Sequence, residues 1–262
     1  MMASDTWAQG DPYEQYVGRW SRQVAPLFLA WLDLPAGLHW LDVGCGTGAL
    51  SATILEHAAP ASVVGVEPSQ GFLDKAQQQL GGEVQLHLGS AAALPLEAAS
   101  VNATVSGLVL NFVPDCDRAL AEMARVTTPG GTIAAYVWDY ADKMQLMRVF
   151  WDAAVELDAA AAPLDEGARF PLCRPAALHA LFSGAGLRQV EVTALDIATR
   201  FDHFDDYWRP FLGGQGPAPG YAMSLPEAAR ERLRERIQQK LPTRVGGSID
   251  LVARVWAVRG RQ

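Results

Sequence analysis

Cysteine and long apolar runs are scarce in this chain of 262 residues. Its three cysteines, Cys45, Cys116 and Cys173, match no metal-ligand spacing, so we expect neither a disulfide framework nor a metal site. No uninterrupted apolar run approaches the roughly 18 residues that a membrane-spanning helix needs. The first residues are polar and acidic, which is unlike a targeting peptide. These absences predict a chain of the reducing cytoplasm without a membrane partner.

Positive charge is also in short supply, and its distribution is uneven. The chain has 29 acidic and 21 basic residues, a formal net charge of −8. Residues 1–135 contain 13 acids and 5 bases, whereas residues 136–262 contain 16 of each. Binding to nucleic acid without sequence preference needs a basic surplus, so we expect no nucleic-acid partner. Half of the residues are hydrophobic, which is enough for a large core.

Apolar, strand-like segments alternate with helical patterns from residue 39 onward. Five strands are predicted at 39–44, 62–67, 83–89, 101–110 and 132–138. Helices are predicted between them at 47–59, 70–80 and 115–127, and Pro129-Gly130-Gly131 is predicted to end the last one. Such alternation with short links is typical of an α/β fold with a doubly wound parallel sheet.

The alternation changes after residue 139. Helices are predicted at 143–162, 175–184 and 225–241, and two further strands at 187–197 and 248–258. We therefore expect a Rossmann-like, mostly parallel seven-stranded sheet with two helical insertions, after strands five and six, that form a cap. Within one integrated domain, we expect lid helices at 1–36, a cofactor-binding core at 37–140 and a C-terminal half at 141–262.

Three glycines follow the first predicted strand and open the next helix. Gly44, Gly46 and Gly48 stand in LDVGCGTGAL, where glycine lets the chain turn sharply and lets a ligand approach the backbone. The spacing loosely fits a dinucleotide fingerprint, with the acidic Glu67 following 21 residues after Gly46. Asp42 argues against a dinucleotide, because its carboxylate would repel a pyrophosphate. It suits a cationic ligand without phosphate, and a nicotinamide cofactor stays as the alternative.

Four segments, in order and spacing, resemble the motifs of one enzyme family. LDVGCGTG at 41–48 is similar to the first motif, and VVGVEPS at 63–69 contains Glu67 at the end of the second strand. GSAAALP at 89–95 and ARVTTPGGTI at 124–133 resemble two later motifs. Over residues 39–138 the chain therefore resembles the class I S-adenosylmethionine-dependent methyltransferases. YEQYVGRWS at 13–21 is more loosely similar to the lid helix of small-molecule members.

The resemblance implies S-adenosylmethionine as the cofactor and a role for each matching residue. The glycines would lie beneath its methionine part, Asp42 would orient its ammonium group, and Glu67 would bind both ribose hydroxyls. Ser90 stands where the family usually has aspartate, so we expect adenine to be held by the Ser90 hydroxyl, the backbone near Ala91 and apolar walls. Arg19 would pair with the cofactor carboxylate. The residues that we expect around the cofactor are Arg19, Asp42, Gly44, Cys45, Gly46, Gly48, Glu67, Pro68, Ser69, Ser90, Ala91 and Asn111.

The resemblance implies in-line transfer of a methyl group to an acceptor atom, and the two insertions favour a small organic molecule as acceptor. A general base is needed only if the acceptor loses a proton, and Asp139, Tyr140 and His203 are candidates. No catalytic residue is assigned. A protein or RNA methyltransferase and a non-catalytic cofactor-binding module stay as alternatives. No pattern in the sequence specifies the acceptor or the oligomeric state.

Overall fold

The computed structural model describes residues 17–214 and 216–262, and its centre is a seven-stranded sheet. The strands are β1 (His39–Val43), β2 (Ser62–Glu67), β3 (Val84–Leu88), β4 (Val101–Gly107), β5 (Thr127–Trp138), β6 (Arg188–Phe201) and β7 (Ile249–Arg261). The α-helices are α1 (Arg19–Leu32), α2 (Ala49–His57), α3 (Gln70–Leu80), α4 (Cys116–Val126), α5 (Gln145–Leu157), α6 (Glu166–Arg169), α7 (Pro175–Gly184), α8 (Phe204–Trp208), α9 (Pro217–Ser224) and α10 (Glu227–Lys240).

The strands of the sheet lie in the order β3-β2-β1-β4-β5-β7-β6. β1 runs parallel to both β2 and β4, β2 runs parallel to β3, and β4 runs parallel to β5. The strand order reverses at β1, and ligands of such sheets bind beyond the carboxyl ends of the strands at this switch point. The predicted α/β fold with a doubly wound, mostly parallel sheet of seven strands is confirmed.

The hydrophobic core of the sheet explains why the first strands read as apolar runs. Strands with both faces covered by helices have no solvent-facing side, so they carry few polar residues. Leu41 and Val43 of β1 are almost completely buried, and Leu120 and Met123 of α4 pack in the same cluster. This rigid centre fixes the positions of the strand ends that carry the candidate site.

Two predicted boundaries around β4 and β5 differ from the structure. β4 ends at Gly107 instead of continuing to Leu110, because Leu108 has a positive φ of 65° and a 3-10 turn follows at Leu110–Phe112. Pro129-Gly130-Gly131 does not end α4, which stops at Val126, but lies inside β5. The N–H of Gly130 donates to the carbonyl of Gln262, a partner from the chain end that local sequence does not reveal.

The predicted length of the helix at 143–162 is also wrong. α5 ends at Leu157, and a 3-10 helix follows at Ala159–Leu164. Asp158 separates the two, because its backbone is extended and its side chain accepts the N–H of Ala160. A side chain that caps a new helical turn in this way competes with continuation of the α-helix.

The residue contacts group the chain into two units. The sheet unit consists of Ser21–Val137, Leu172–Leu195 and Val255–Gln262. The helical unit consists of Trp138–Pro171, Asp196–Arg254 and the described residues 17–20. The predicted division into lid, core and C-terminal half stays a prediction, and residues 1–16 of the lid segment lie outside the described residues. Within the described ranges, no helix combines the length and apolar character that crossing a membrane requires.

Aromatic side chains form the core of the helical unit. Phe150, Trp151, Tyr207 and Phe211 are each at most 1% exposed. The rings of Phe150 and Phe211 stack with centroids 4.6 Å apart, and the hydroxyl of Tyr207 donates to the carbonyl of Leu146 at 2.7 Å. Buried aromatic pairs of this kind contribute mainly packing energy. The concentration of aromatics after β5 therefore reflects, at these positions, a hydrophobic core.

A buried carboxyl in the helical unit should make stability depend on pH. Glu166 is 1% exposed, its carboxyl accepts the indole N–H of Trp151, and burial raises its pKa to about 8. Folding therefore favours the protonated form, and its contribution to stability is lost as pH rises from near 4.5 through about 8. We expect Glu166→Gln to raise the melting temperature at about pH 9 and to change it little near pH 5, as measured by thermal unfolding. Glu235→Gln, at an exposed position of α10, is the control, and an equal effect of the two substitutions would contradict this account.

Candidate functional site

The turn after β1 is tied to the end of β2. The carbonyl of Val66 accepts the N–H groups of Gly44 at 2.7 Å and of Cys45 at 3.2 Å. Gly44, Gly46 and Gly48 have φ values of +74°, +55° and +92°, which strain any residue with a Cβ. The predicted sharp turn between strand and helix is therefore present at all three glycines.

The three glycines differ in what surrounds them. A Cβ on Gly44 would lie 2.6 Å from Cγ2 of Val109, and a Cβ on Gly48 would lie 2.6 Å from Cδ1 of Leu80. These two glycines allow close packing of the turn against its neighbours. A Cβ on Gly46 would meet no described atom within 4 Å. Gly46 thus leaves its backbone open on the side where a ligand could approach.

Glu67 links the end of β2 to the glycine turn. Its carboxylate accepts the N–H of Gly46 at 3.1 Å and the N–H of Ser69 at 3.0 Å, one on each oxygen. Burial raises the pKa of this carboxyl, and these two backbone hydrogen bonds oppose the shift. Each carboxylate oxygen has a second lone pair, so the group can still accept two hydroxyl donors.

Asp42 is a buried acid with an unused oxygen. Its side chain is 1% exposed, and its Oδ2 accepts the hydroxyl of Ser51 at 2.7 Å. Among the described residues, no group donates to its buried Oδ1. Burial raises its pKa to about 7, with a smaller contribution from the charge of Glu67, whereas the bond from Ser51 lowers it. A positively charged ligand group beside Oδ1 would favour the ionised form.

A second oxygen that accepts no hydrogen bond lies just after β4, the strand next to β1. Asn111 lies in the 3-10 turn after β4, and its buried Oδ1 also accepts no hydrogen bond within the part of the chain that the structure describes. β4 pairs with β1, and Val109 packs against Gly44, so this turn adjoins the glycine turn. Buried acceptors without donors are rare in folded proteins and call for a ligand or water.

Cys45, Pro68 and Ser69 take different positions around the turn. The Sγ of Cys45 lies against β2, 2.9 Å from where a Cβ on Gly65 would be, and burial raises its pKa, so it is a neutral thiol. Pro68 is exposed, and Ser69 precedes α3 as its N-cap residue. Their predicted contacts with a cofactor stay predictions.

Two side chains of α4, Glu122 and Arg125, bind the backbone of the segment that is predicted to hold adenine, and Glu122 is one that the sequence did not single out. The hydroxyl of Ser90 accepts the N–H of Ala92 at 3.2 Å, and Ala91 next to it is half-buried. Glu122 accepts the N–H of Leu94 at 2.9 Å, and Arg125 donates to the carbonyl of the same residue at 3.0 Å. Glu122 and Arg125 also pair with each other, which lowers the pKa of Glu122. The sequence signal was the acid three residues before the arginine of ARVTTPGG.

The remaining predicted residues lie in the helical unit. Arg19 begins α1, and its Nη1 donates to Oδ1 of Asp206 at 2.9 Å. His203 is the N-cap of α8, where its Nδ1 accepts the N–H of Asp206 at 3.1 Å. Asp139 is 3% exposed and accepts the N–H of Asp142, and burial raises its pKa. His203 and Asp139 thus both have structural hydrogen bonds, and no base is assigned.

The hydrogen-bond acceptors of the sheet unit fit S-adenosylmethionine. Two unused oxygen acceptors, on Asp42 and Asn111, suit an ammonium group, which has three donors and no acceptor. The carboxylate of Glu67 suits a vicinal diol, and the open backbone at Gly46 leaves space for a chain of methylene groups. A pyrophosphate would meet two acidic side chains, which opposes a dinucleotide. In the described ranges, no three histidines, cysteines or acids are grouped as metal ligands would be.

Comparison with known proteins identifies the same region. The profile of a family described as "Methyltransferase domain" matches residues 41–135. A demethylmenaquinone methyltransferase of Lactobacillus johnsonii is 35% identical over 112 residues, which are 40% of this chain and 46% of that protein. A malonyl-[acyl-carrier protein] O-methyltransferase of Serratia marcescens is 38% identical over 112 residues, 43% of each chain. The match thus spans less than half of these relatives.

A solved structure extends the likeness of the fold to most of the chain. Phosphoethanolamine N-methyltransferase 2 of Haemonchus contortus, determined with S-adenosylhomocysteine, has a TM-score of 0.57 and 14% identity. The alignment covers 93% of this chain and 52% of that one. The matched residues 41–135 contain the glycine turn, Glu67 and the segment predicted to hold adenine, in the order already described. Over residues 41–135, the chain is therefore similar to a family of methyltransferase domains.

Proposed function

We propose that this chain transfers the methyl group of S-adenosylmethionine to a small organic acceptor. The observation that carries the cofactor assignment is the pair of buried oxygens without donors, Oδ1 of Asp42 and Oδ1 of Asn111, at the ends of adjacent strands. An ammonium group between them would satisfy both acceptors and neutralise the Asp42 carboxylate. A ligand end without N–H or O–H donors would leave both oxygens unsatisfied, which is costly in a buried site, and an anionic one would also be repelled by the Asp42 carboxylate.

The residues of the sheet unit would hold the cofactor in one orientation. Glu67 accepts the ribose hydroxyls, Ser90 and Ala91 face adenine, and Gly46 lets the methionine part approach the backbone. When bound, the cofactor supplies a methyl group already activated by a positively charged sulfur. The chain therefore needs to orient and desolvate the reacting pair, and a base is needed only for an acceptor that loses a proton.

Two lines of support favour a small acceptor. The acidic surplus in residues 1–135 opposes binding of a polyanionic RNA. The similar demethylmenaquinone methyltransferase is named for an acceptor that is not a macromolecule. The name of the Serratia relative describes an acceptor that is attached to a carrier protein. A methylation assay with free and carrier-bound substrates would distinguish a free small acceptor from one attached to a carrier.

A glycine pair gives a matched test of the cofactor assignment. Gly46 and Gly81 have similar φ values, +55° and +60°, and neither would place a Cβ within 4 Å of a described atom. Alanine at either position should lower stability through backbone strain, and more so at Gly81, because its ψ of −132° lies outside the left-handed region. Only Gly46→Ala should weaken binding of S-adenosylhomocysteine, by roughly tenfold or more, because its methyl group enters the ligand space.

Isothermal titration calorimetry and thermal unfolding measure the two effects separately. Glu67→Ala should abolish binding as well, since the carboxylate both accepts the ribose hydroxyls and fixes the N–H of Gly46. Equal loss of binding in Gly46→Ala and Gly81→Ala would show that the effect is only structural. A folded wild-type chain that binds neither S-adenosylmethionine nor S-adenosylhomocysteine would refute the proposed function.

A further inference from the structure

Asp42 has one carboxylate oxygen that is held by a buried serine and one that accepts nothing among the described residues. The hydroxyl of Ser51 donates to Oδ2 of Asp42 at 2.7 Å, and the two residues are 0% and 1% exposed. Water does not compete for a hydrogen bond between buried groups, so this bond is strong and holds the carboxylate in one orientation. With Oδ2 occupied by Ser51, Oδ1 is the oxygen that is left for a ligand.

The glycine turn places Ser51 beside Asp42. Asp42 lies in β1, the turn connects this strand to α2, and Ser51 belongs to the first turn of that helix. The first N–H groups of a helix have no partner within it, and their partial positive charge favours a nearby anion. The N–H of Ser51 lowers the pKa of Asp42, although less than the hydroxyl does. Replacing Ser51 by alanine therefore removes the hydroxyl and retains the contribution of the backbone.

The other surroundings of Asp42 oppose its ionised form. Burial has the largest effect on its pKa and raises it, and the nearby carboxyl of Glu67 on β2 raises it further. Cys45 in the turn is a neutral thiol, and the residues that pair with Asp42 in β2 and β4 carry no charge. The hydrogen bonds from Ser51 act against burial and Glu67, so the ionised form of Asp42 depends on this serine.

We propose that Ser51 is a positioning residue of the cofactor site, whose hydroxyl holds Oδ2 of Asp42 so that Oδ1 receives the ammonium group of S-adenosylmethionine. The inference rests on the proposed function, because it concerns the ligand that is assigned there to Asp42. Ser51 is fully buried and donates its proton to Oδ2, so it acts on the cofactor through Asp42. Its hydroxyl favours the ionised carboxylate, which is the form that attracts a cationic group.

Ser51→Ala should shift the pH range in which S-adenosylhomocysteine binds. Loss of a donor to the carboxylate raises the pKa of Asp42 above its value of about 7. The midpoint of the rise in affinity with pH should therefore move up by about one pH unit. At about pH 7 the variant should bind roughly fivefold more weakly than the wild type, and at about pH 8.5 roughly twofold or less. Isothermal titration calorimetry across pH measures this midpoint.

Thr53→Val is the matched control in the same helix. The hydroxyl of Thr53 donates to the carbonyl of Ala49 at 2.9 Å, and Thr53 is also buried. This variant removes a buried hydroxyl of α2 but should leave the midpoint of binding unchanged. A second control is 5′-methylthioadenosine, which has no ammonium group and should bind to Ser51→Ala and to the wild type equally at each pH. A merely structural role of Ser51 would weaken both ligands alike and leave the midpoint in place.

Titration of Asp42 in the ligand-free chain separates this inference from the proposed function. The carbon NMR signal of its carboxyl group, assigned by its loss in Asp42→Asn, reports the pKa without any cofactor. Ser51→Ala should raise this pKa by about one pH unit, and Thr53→Val should not change it. The inference is overturned if Ser51→Ala leaves either this pKa or the midpoint of binding at its wild-type value. A raised pKa in a folded chain whose wild type does not bind S-adenosylhomocysteine refutes the proposed function instead, and with it the ligand of Oδ1.

Discussion

At about pH 8, Asp42→Asn should make the ligand-free chain more stable and its binding of S-adenosylmethionine weaker. Burial raises the pKa of Asp42 to about 7 from an ordinary value of 3.8. The contribution of Asp42 to stability is therefore fully present below about pH 4 and is lost as pH rises through about 7. Asparagine does not ionise, so the variant should gain up to about 4 kcal/mol over the wild type at the higher pH and almost nothing near pH 4.

The same substitution should remove a pH dependence of cofactor binding. A cationic ammonium group binds best to the ionised form of Asp42, so the affinity of the wild type should rise with pH up to about 7 and then level off. Asp42→Asn should bind roughly tenfold or more weakly at about pH 8 and show no such rise. Chemical denaturation and calorimetry across pH measure the two effects.

The exposed Asp74 of α3 supplies the control for Asp42. Asp74→Asn loses a surface hydrogen bond with Gln70 and should alter neither stability nor affinity by much. If Asp42→Asn instead lowers stability at about pH 8, the carboxylate has a buried donor and the ammonium assignment fails. A gain in stability with a loss of binding is the pattern of a residue retained for function.

Gly44→Ala should be the most destabilising of the substitutions considered. Its Cβ would lie 2.6 Å from Cγ2 and 2.7 Å from Cγ1 of Val109, on a backbone with a φ of +74°. Overpacking and the left-handed conformation together should cost about 3 kcal/mol of unfolding free energy. Cofactor binding should fall with it, because the turn that carries Gly46 would have to move.

A double-mutant cycle separates overpacking from backbone strain at Gly44. Val109→Ala removes both methyl groups that the new Cβ would meet, so it should recover about 1–2 kcal/mol in the Gly44→Ala background. Gly37→Ala has a matching φ of +79° with no described atom within 4 Å of its Cβ, and it reports the strain alone. If Gly44→Ala costs no more than Gly37→Ala, the close contact with Val109 is not limiting.

The sequence motifs were sufficient to predict the fold, because a parallel sheet strongly constrains the residues that can form it. Strands covered on both faces must be apolar, and the turn at Gly44, Gly46 and Gly48 must have glycine or accept strain. Each of these requirements acts on neighbouring residues, so it can be recognised in the sequence. The acid at position 67 follows from the same geometry, because the end of β2 lies beside the turn and its carboxylate can reach the N–H of Gly46.

Other features of the site depend on residues far apart in the sequence. The contact of Val109 with Gly44 follows from the pairing of β4 with β1. The bonds of Glu122 and Arg125 to Leu94 span about 30 residues, and no periodicity reveals them. The early end of β4 at Gly107 likewise depends on the positive φ of Leu108, at a position where the apolar pattern continues.

By itself, the sequence determined the α/β fold, the glycine turn, and the acids at 42 and 67, because each is a local requirement of backbone geometry or charge. Only the tertiary structure decided which polar atoms are satisfied. Burial and partners from distant segments leave oxygens of Asp42 and Asn111 and nitrogens of Arg19 without hydrogen bonds. Desolvation depends on every residue packed around a group. The raised pKa of Asp42 and the unpaired nitrogens of Arg19 therefore cannot be predicted from their neighbours in the sequence.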